Sequence, residues 1–322
     1  MSIWKLRFSM LGTLAIIIGL STLFFTVLLS LTEAFNFLTL GIFVVLFNIV
    51  QWLLAPYLID LMYRVRKVSK SDDPKLHGMV ERLSQKSGIK MPRVMIANIP
   101  VPNAFAYGSP VAGTRVAVTK GLLETLEDEE VEAVIGHELG HLKHRDVQVM
   151  MFVSLLPAVF YFIGYSIMLS SMFRRRDERG SSGVAALIGM ACMLVYWVLY
   201  IFTLYLSRLR EYYADRHSAN IVEEGPRKLS EGLAKIAHSS GRMRRTRRDT
   251  GNLSSFKSLF IADPDHAELD TAAITQARAF MADQKLVEEV LRRRVTTLDR
   301  VAEVLSSHPN IVKRLRALQE LA

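Results

Sequence analysis

The run Asp128-Glu-Glu-Val-Glu-Ala-Val-Ile-Gly-His-Glu-Leu-Gly-His-Leu-Lys143 decides how the rest of this chain is read. Val131, Val134, Ile135 and Leu142 recur at helical spacing and predict one buried stripe. Asp128 is the predicted N-cap, and the acidic first turn suits the positive end of the helix dipole. Within that helix the pattern HExxH, His137-Glu138-Leu139-Gly140-His141, projects two imidazoles from one face, about one turn apart. At that spacing both reach a single Zn²⁺ at about 2.0–2.1 Å. Glu138 lies next to His137 around the helix, close enough to address water at the metal without being a ligand. HExxH alone arises by chance in about one unrelated chain of this length in a hundred. Its setting in a strongly helical window sets it apart from two surface histidines beside a solvated glutamate. The extension that supplies a third histidine is absent, since His144 stands where glycine is needed and Val147 where the histidine is needed. A third ligand must come from elsewhere.

Downstream, a long apolar stretch runs into Ser207-Arg-Leu-Arg-Glu-Tyr-Tyr-Ala-Asp-Arg216. Glu211 and Asp215 are four apart and share a face if the helix continues. Glu211 would complete a His₂Glu set with the fourth position open to water, as a catalytic zinc requires. Asp215 would then accept the non-coordinating N–H of one histidine and fix its tautomer. Spacing alone leaves rivals: Asp146, Glu223, Glu224 and Glu231 are also carboxylates, and Glu211 beside Arg208, Arg210 and Arg216 also reads as an interfacial charge. Cys192 is the single cysteine, which excludes an intramolecular disulfide and a cysteine-based zinc site.

Half of the 322 residues are hydrophobic although the formal net charge is +9, so apolar surface and charge must be segregated along the chain. Four stretches carry no charged residue: Phe8 to Thr32, Ala34 to Ile59, Val147 to Phe173 and Gly180 to Ser207. Each exceeds the roughly 20 residues that cross a bilayer as a helix. The first reads as a retained span, because no small-residue cleavage site precedes the next one. Lys5 and Arg7 before the first span and Arg64, Arg66, Lys67 and Lys70 after the second place the amino terminus and the segment after Ile59 in the cytoplasm. The turn Arg174-Arg-Arg-Asp-Glu-Arg179 opposes the same rule if the last two stretches cross. A site built from both sides of that hairpin requires both to cross or neither, and both crossing is the reading adopted. The basic run Arg242 to Arg248 has no interleaved aromatics and reads as a solvated loop near lipid headgroups, with no nucleic-acid partner.

Between the spans, Asp73 to Lys86 reads as a helix, and Val94 to Ile99, Ala104 to Tyr107 and Arg115 to Thr119 as short strands. Helices follow at Pro226 to His238, Thr271 to Asp283, Gln284 to Leu305 and Pro309 to Leu321. The expected fold is mainly α with a small β-sheet: multi-span membrane helices plus a cytosolic HExxH zinc-metallopeptidase domain. Residues 1–60 form an N-terminal transmembrane hairpin and 61–146 the first half of the peptidase domain. Residues 147–207 form a second transmembrane or partly embedded hairpin, and 208–322 the second half. The segment Asn103, Ala104, Phe105, Ala106 through Gly108 would pair with an extended substrate if it is an edge strand beside the zinc; otherwise it is a core strand and a turn.

HELGH followed, after two hydrophobic stretches, by Glu211-Tyr-Tyr-Ala-Asp215 resembles the HtpX family of membrane zinc metalloproteases, relatives of the CAAX prenyl endopeptidases. The likeness extends to Pro102-Asn-Ala-Phe-Ala-Tyr-Gly108, Leu259-Phe-Ile-Ala-Asp-Pro264 and Ser307-His-Pro309. It implies Glu211 as the third ligand, one Zn²⁺ per chain, polypeptide substrates drawn from damaged membrane proteins, and a multi-pass cell-membrane enzyme with a cytoplasmic active site. It also suggests His308 as a transition-state donor or regulatory ligand, against a helix-capping role beside Pro309, and the same choice for Arg314. Tyr212 is a second candidate donor. His144 and the long basic run have no counterpart in the family pattern. The competing expectations are a CAAX-type prenyl endopeptidase, for which four spans are few, and a non-catalytic zinc-binding membrane adaptor, which has no use for Glu138.

Overall fold

Strand β1 (Val65–Lys67) pairs antiparallel with β2 (Arg93–Ala97), β2 pairs parallel with β4 (Gly113–Thr119), and β4 pairs antiparallel with β3 (Ala104–Ser109). The order β1-β2-β4-β3 leaves β3 at one edge of the sheet. These features come from a computed structural model that describes residues 37–173, 179–246 and 283–322. The first predicted span, Phe8 to Thr32, the Leu259 to Pro264 motif and all but the last residue of the predicted helix Thr271 to Asp283 lie outside the described residues.

Alternation buries both faces of the sheet. Val94, Ile96, Ala104, Val116 and Val118 face a core built with helices α2 (Pro74–Ser87), α4 (Asp128–Lys143), α7 (Gly225–Thr246) and α10 (Ile311–Gln319). Met95, Ala97, Phe105, Tyr107 and Ala117 face the other way, against Ile59 and Tyr63 at the end of α1 (Phe37–Met62) and just beyond it. The β3–β4 hairpin closes at Gly113, whose φ of +72° suits glycine. Tyr107 donates to Asp60 Oδ1 at 2.6 Å, and Arg115 pairs with the other Asp60 oxygen, so the sheet is tied to α1 by charge as well as packing.

Local signals set the helix ends. Leu76 N–H donates to Asp73 Oδ1 at 2.9 Å, with proline at the first helical position of α2, and Gly88 ends it at φ +68°. Helix α4 corrects the expected cap. Glu127 holds the cap position with an extended backbone, and its N–H donates to Glu130 Oε2 at 2.8 Å, so Asp128 is the first helical residue. The short helix α3 (Lys120–Thr125) starts where Thr119 accepts from Leu122 N–H.

Three further expectations are corrected. Gln284 to Leu305 is not one helix but α8 (Asp283–Arg292) and α9 (Thr297–Val304), because Thr296 and Asp299 form a reciprocal capping box. Helix α10 begins at Ile311 rather than Pro309, with Asn310 accepting from Val312 N–H at 3.0 Å. The described part of the basic run, Arg242 to Thr246, extends α7 instead of forming a loop.

Helices α5 (Asp146–Phe173) and α6 (Arg179–Ile221) carry the third and fourth charge-free stretches. Among the described residues these two have segments long and apolar enough to cross a membrane, Asp146–Met168 and Gly183–Ile221. The chain divides into two compact units, one containing Leu53–Val147 and Ser207–Ala322, the other containing Gln148–Leu206. In the second, Gly164 and Gly189 let α5 and α6 meet closely, since a Cβ on Gly164 would lie 2.8 Å from Cys192 Cβ. Small residues at such a crossing let helix backbones approach closely. Leu187 and Leu194 point outward from it.

Candidate active site

Two glycines on α4 set the site. A Cβ on Gly140 would lie 3.0 Å from Ala214 Cα, and one on Gly136 would lie 2.9 Å from Ser218 Oγ. The HExxH helix therefore lies almost backbone to backbone against the last turns of α6, and Ser218 Oγ donates to Ala133 O at 2.6 Å to lock the pair. Glu211 and Asp215, about two turns and one turn before Ser218, are carried to the histidines by that contact.

His137 Nε2 and His141 Nε2 lie 3.1 Å apart. Glu211 Oε2 is 3.7 Å from the first and Glu211 Oε1 3.5 Å from the second. One ligand atom from each residue lies within 4.8 Å of the others. Tetrahedral ligands at ordinary Zn–N and Zn–O lengths stand about 3.3 Å apart, so this set has the right size. The outer ring nitrogens are also engaged, His137 Nδ1 at 2.8 Å from Asp215 Oδ1 and His141 Nδ1 at 2.6 Å from Asp146 Oδ2. Carboxylates there keep Nδ1 protonated and aim both Nε2 lone pairs inward at each other, an arrangement that a cation between them relieves. Glu211 is buried and presents its carboxylate to both Nε2 atoms. The donor set fits a divalent metal.

Glu138 is held from the sheet. Ala106 N–H on β3 donates to Glu138 Oε2 at 2.8 Å. A strand N–H spent on Glu138 is not part of the ladder to β4, so Ala106 faces outward from the sheet edge.

Residues 70–322 match peptidase family M48. The chain belongs to that family. This M48 peptidase is a metalloprotease, and its substrates are polypeptides. It is 38% identical over 287 residues to a protein named Protease HtpX homolog from Thermoplasma acidophilum, covering 88% of this chain and 84% of that one. It is 36% identical to Protease HtpX homolog 2 of Saccharolobus solfataricus, over 99% of this chain and 98% of the relative. The fold is similar to the crystal structure of S. mikatae Ste24p, with a TM-score of 0.54 at 17% identity, over 98% of this chain and 66% of that longer one.

Around the candidate metal-binding set of the M48 peptidase stand two side chains from the C-terminal segment. Arg314, 1% exposed, donates from Nε to Asp215 Oδ2 at 2.9 Å and from Nη2 to Asp215 Oδ1 at 2.6 Å, while Nη1 lies 3.1 Å from Glu211 Oε2. One side chain thus orients both carboxylates of α6. His308 Nδ1 lies 3.3 Å from Glu211 Oε2, and both its ring nitrogens are buried without a hydrogen bond. Tyr212 is turned roughly 100° away from Glu211 around α6, and the nearest charges acting on it include Glu303 and Asp215.

Asn103, Ala104 and Phe105 are buried in the sheet rather than presented to the histidines. Asn103 N–H donates to Thr119 Oγ1, and Phe105 packs on Tyr63 and Tyr107. The sequence reading missed Asp146 as the histidine's partner, listing it only as a rival ligand. Arg210 Nη2, 2.9 Å from Asp146 Oδ2, fixes it there. The visible signal is a carboxylate five residues after His141, beyond Arg145 at φ +54°. His144 finds a place as well, edge-on to Tyr213 and His217.

Proposed function

We propose that this M48 peptidase is a zinc endopeptidase of the cell membrane that hydrolyses peptide bonds of misfolded or damaged membrane proteins. His137, His141 and Glu211 hold one Zn²⁺ per chain. The observation that carries the reading is the meeting of these three side chains, each backed by a carboxylate or a cation, on the helix face next to Glu138. When bound, zinc supplies Lewis acidity that lowers the pKa of water toward ~7 and polarises a carbonyl.

Everything else belongs to the chain's own groups. Glu138, held by Ala106 N–H, takes a proton from the attacking water and hands it to the leaving amine. His308, buried with no hydrogen-bond partner at either nitrogen, is the donor to the oxygen that gains charge in the transition state. Arg314 keeps Glu211 and Asp215 in position. The edge of β3 at Ala106 receives the substrate as an added strand, its N–H exchanging Glu138 for a substrate carbonyl, read through backbone more than side chains.

Four spans are proposed, with the amino terminus and the active site in the cytoplasm. The peptidase domain is then made of residues 61–146 and 208–322, around hairpins 1–60 and 147–207. Because Glu211 follows Ser207 by about one turn of α6, the metal lies near the membrane surface, within reach of segments leaving the lipid. Zinc content and casein cleavage of purified wild type and Glu138→Gln test the mechanism. The variant is expected to keep its zinc and lose hydrolysis by at least about 10²-fold. Cleavage that survives chelation defeats it.

A further inference from the structure

Helix α9 (Thr297–Val304) is amphipathic the wrong way round for water. Its polar side is turned into the protein. Asp299 is buried and accepts from Thr296 N–H and Oγ1 at 2.8 Å each and from Arg293 Nη2 at 3.2 Å. Glu303 accepts from Asn310 N–H at 3.2 Å and pairs with Lys313. Its apolar side looks out: Leu298 is 81% exposed, Val301 60%, Val304 42% and, just past the helix, Leu305 59%. On a helical projection these four fall within an arc of roughly 120°. Large aliphatics concentrated on one short helix are costly in water and mark a surface that something apolar covers.

The helix's anchor says what covers it. Arg208 Nη1 donates to Glu303 O at 2.7 Å, Val304 O at 3.2 Å and Ser306 O at 2.6 Å, gripping the end of α9. Arg208 is also the first charged residue after the charge-free stretch Gly180 to Ser207 of α6. The end of α9 is thus fastened where an apolar helix of membrane length meets its first charge, the depth at which lipid headgroups begin. Arg300 borders the apolar arc, and Arg292 and Arg294 precede the helix; all three are exposed.

We infer that α9 lies on the bilayer surface. Leu298, Val301, Val304 and Leu305 sink into the boundary between headgroups and acyl chains, and the arginines face anionic headgroups. The inference rests on reading α6 as a membrane span. A second copy of the chain fits the face less well, because two-fold pairing through this arc brings like arginines together. Since Ser306 Oγ and the backbone of His308 are hydrogen-bonded to each other, the same seat fixes the approach of His308 to the site.

The test uses the full chain in nanodiscs of phosphatidylcholine with or without phosphatidylglycerol. Single cysteines are introduced in a Cys192→Ala background at Leu298 and Val301, at Leu194 on the outward side of α6, and at the exposed Glu124. Each carries an environment-sensitive fluorophore, and spin-labelled lipids serve as quenchers. The Leu298 and Val301 labels should be blue-shifted and quenched from shallow depth, more strongly with the anionic lipid. The Leu194 label should be quenched from deep positions, and the Glu124 label should not be quenched. A Leu298 label left in water while Leu194 is quenched overturns the seating of α9 alone. An unquenched Leu194 label overturns the membrane reading and this inference with it. A blue-shifted Leu298 label that lipid quenchers do not reach assigns the face to a second copy and overturns the lipid assignment.

Discussion

Asp146 illustrates how much one carboxylate decides at this site. It lies 2.6 Å from His141 Nδ1 and is itself clamped by Arg210, so it sets which nitrogen of His141 faces the metal. Asp215 does the same for His137 under the grip of Arg314. Asp146→Asn and Asp215→Asn are therefore expected to weaken zinc binding by about 10–100-fold each, measured by competition with a chromophoric chelator. The two histidines also titrate differently. Burial opposes a charge on His137, but the Asp215 and Glu211 carboxylates outweigh it and raise its pKa. Burial and the neighbouring His137 push His141 down to about 4. A divalent metal therefore competes with a proton for His137 more than for His141. Metal affinity is expected to fall as pH drops through the His137 titration. Chelator competition across pH reads that dependence, and a pH-independent affinity would count against it.

At the scale of elements, the site depends on how closely α4 and α6 approach. Gly140→Ala places a methyl 3.0 Å from the Ala214 backbone, which cannot yield without moving α6 and Glu211 with it. It is expected to cost about 1–3 kcal/mol and to lower zinc occupancy. Gly78→Ala in α2 meets nothing within 4 Å and is expected to stabilise by about 0.5–1 kcal/mol through helix propensity. Denaturant titration and metal analysis of the pair read the contrast. The same scale shows what local sequence carried. Helix α4 was legible over its whole length because apolar periodicity, an acidic first turn and the histidine spacing all agree. Strand β1 was not, because Val65-Arg-Lys67 has no alternation of its own and is a strand only by pairing with β2. The break between α8 and α9 was hidden because Leu286, Val290, Leu298 and Val301 continue a helical rhythm across it, while the Thr296–Asp299 box that stops it is local and brief.

For the whole molecule, the metal-binding set joins positions 137 and 141 to position 211 across the apolar lengths of α5 and α6. A metal ion held by that set would therefore link the two stretches of chain that make up one compact unit. Removing it with a chelator is expected to lower the unfolding temperature and speed limited proteolysis near residues 208–216. The linkage is about 2.7 kcal/mol for metal held at a hundred times its dissociation constant. Equal protease sensitivity with and without metal would argue against that coupling. The sequence by itself determined the two imidazoles, the glutamate between them and the apolar stretches, because each is written in spacing within one helix, where geometry follows directly from residue number. Tertiary structure alone decided that Glu211 is the carboxylate that arrives, that Asp146 serves His141, and that Arg314 and His308 close on the site. Those pairings depend on two glycines allowing helices to touch and on capped segments far along the chain, and no local periodicity records which distant surfaces will meet.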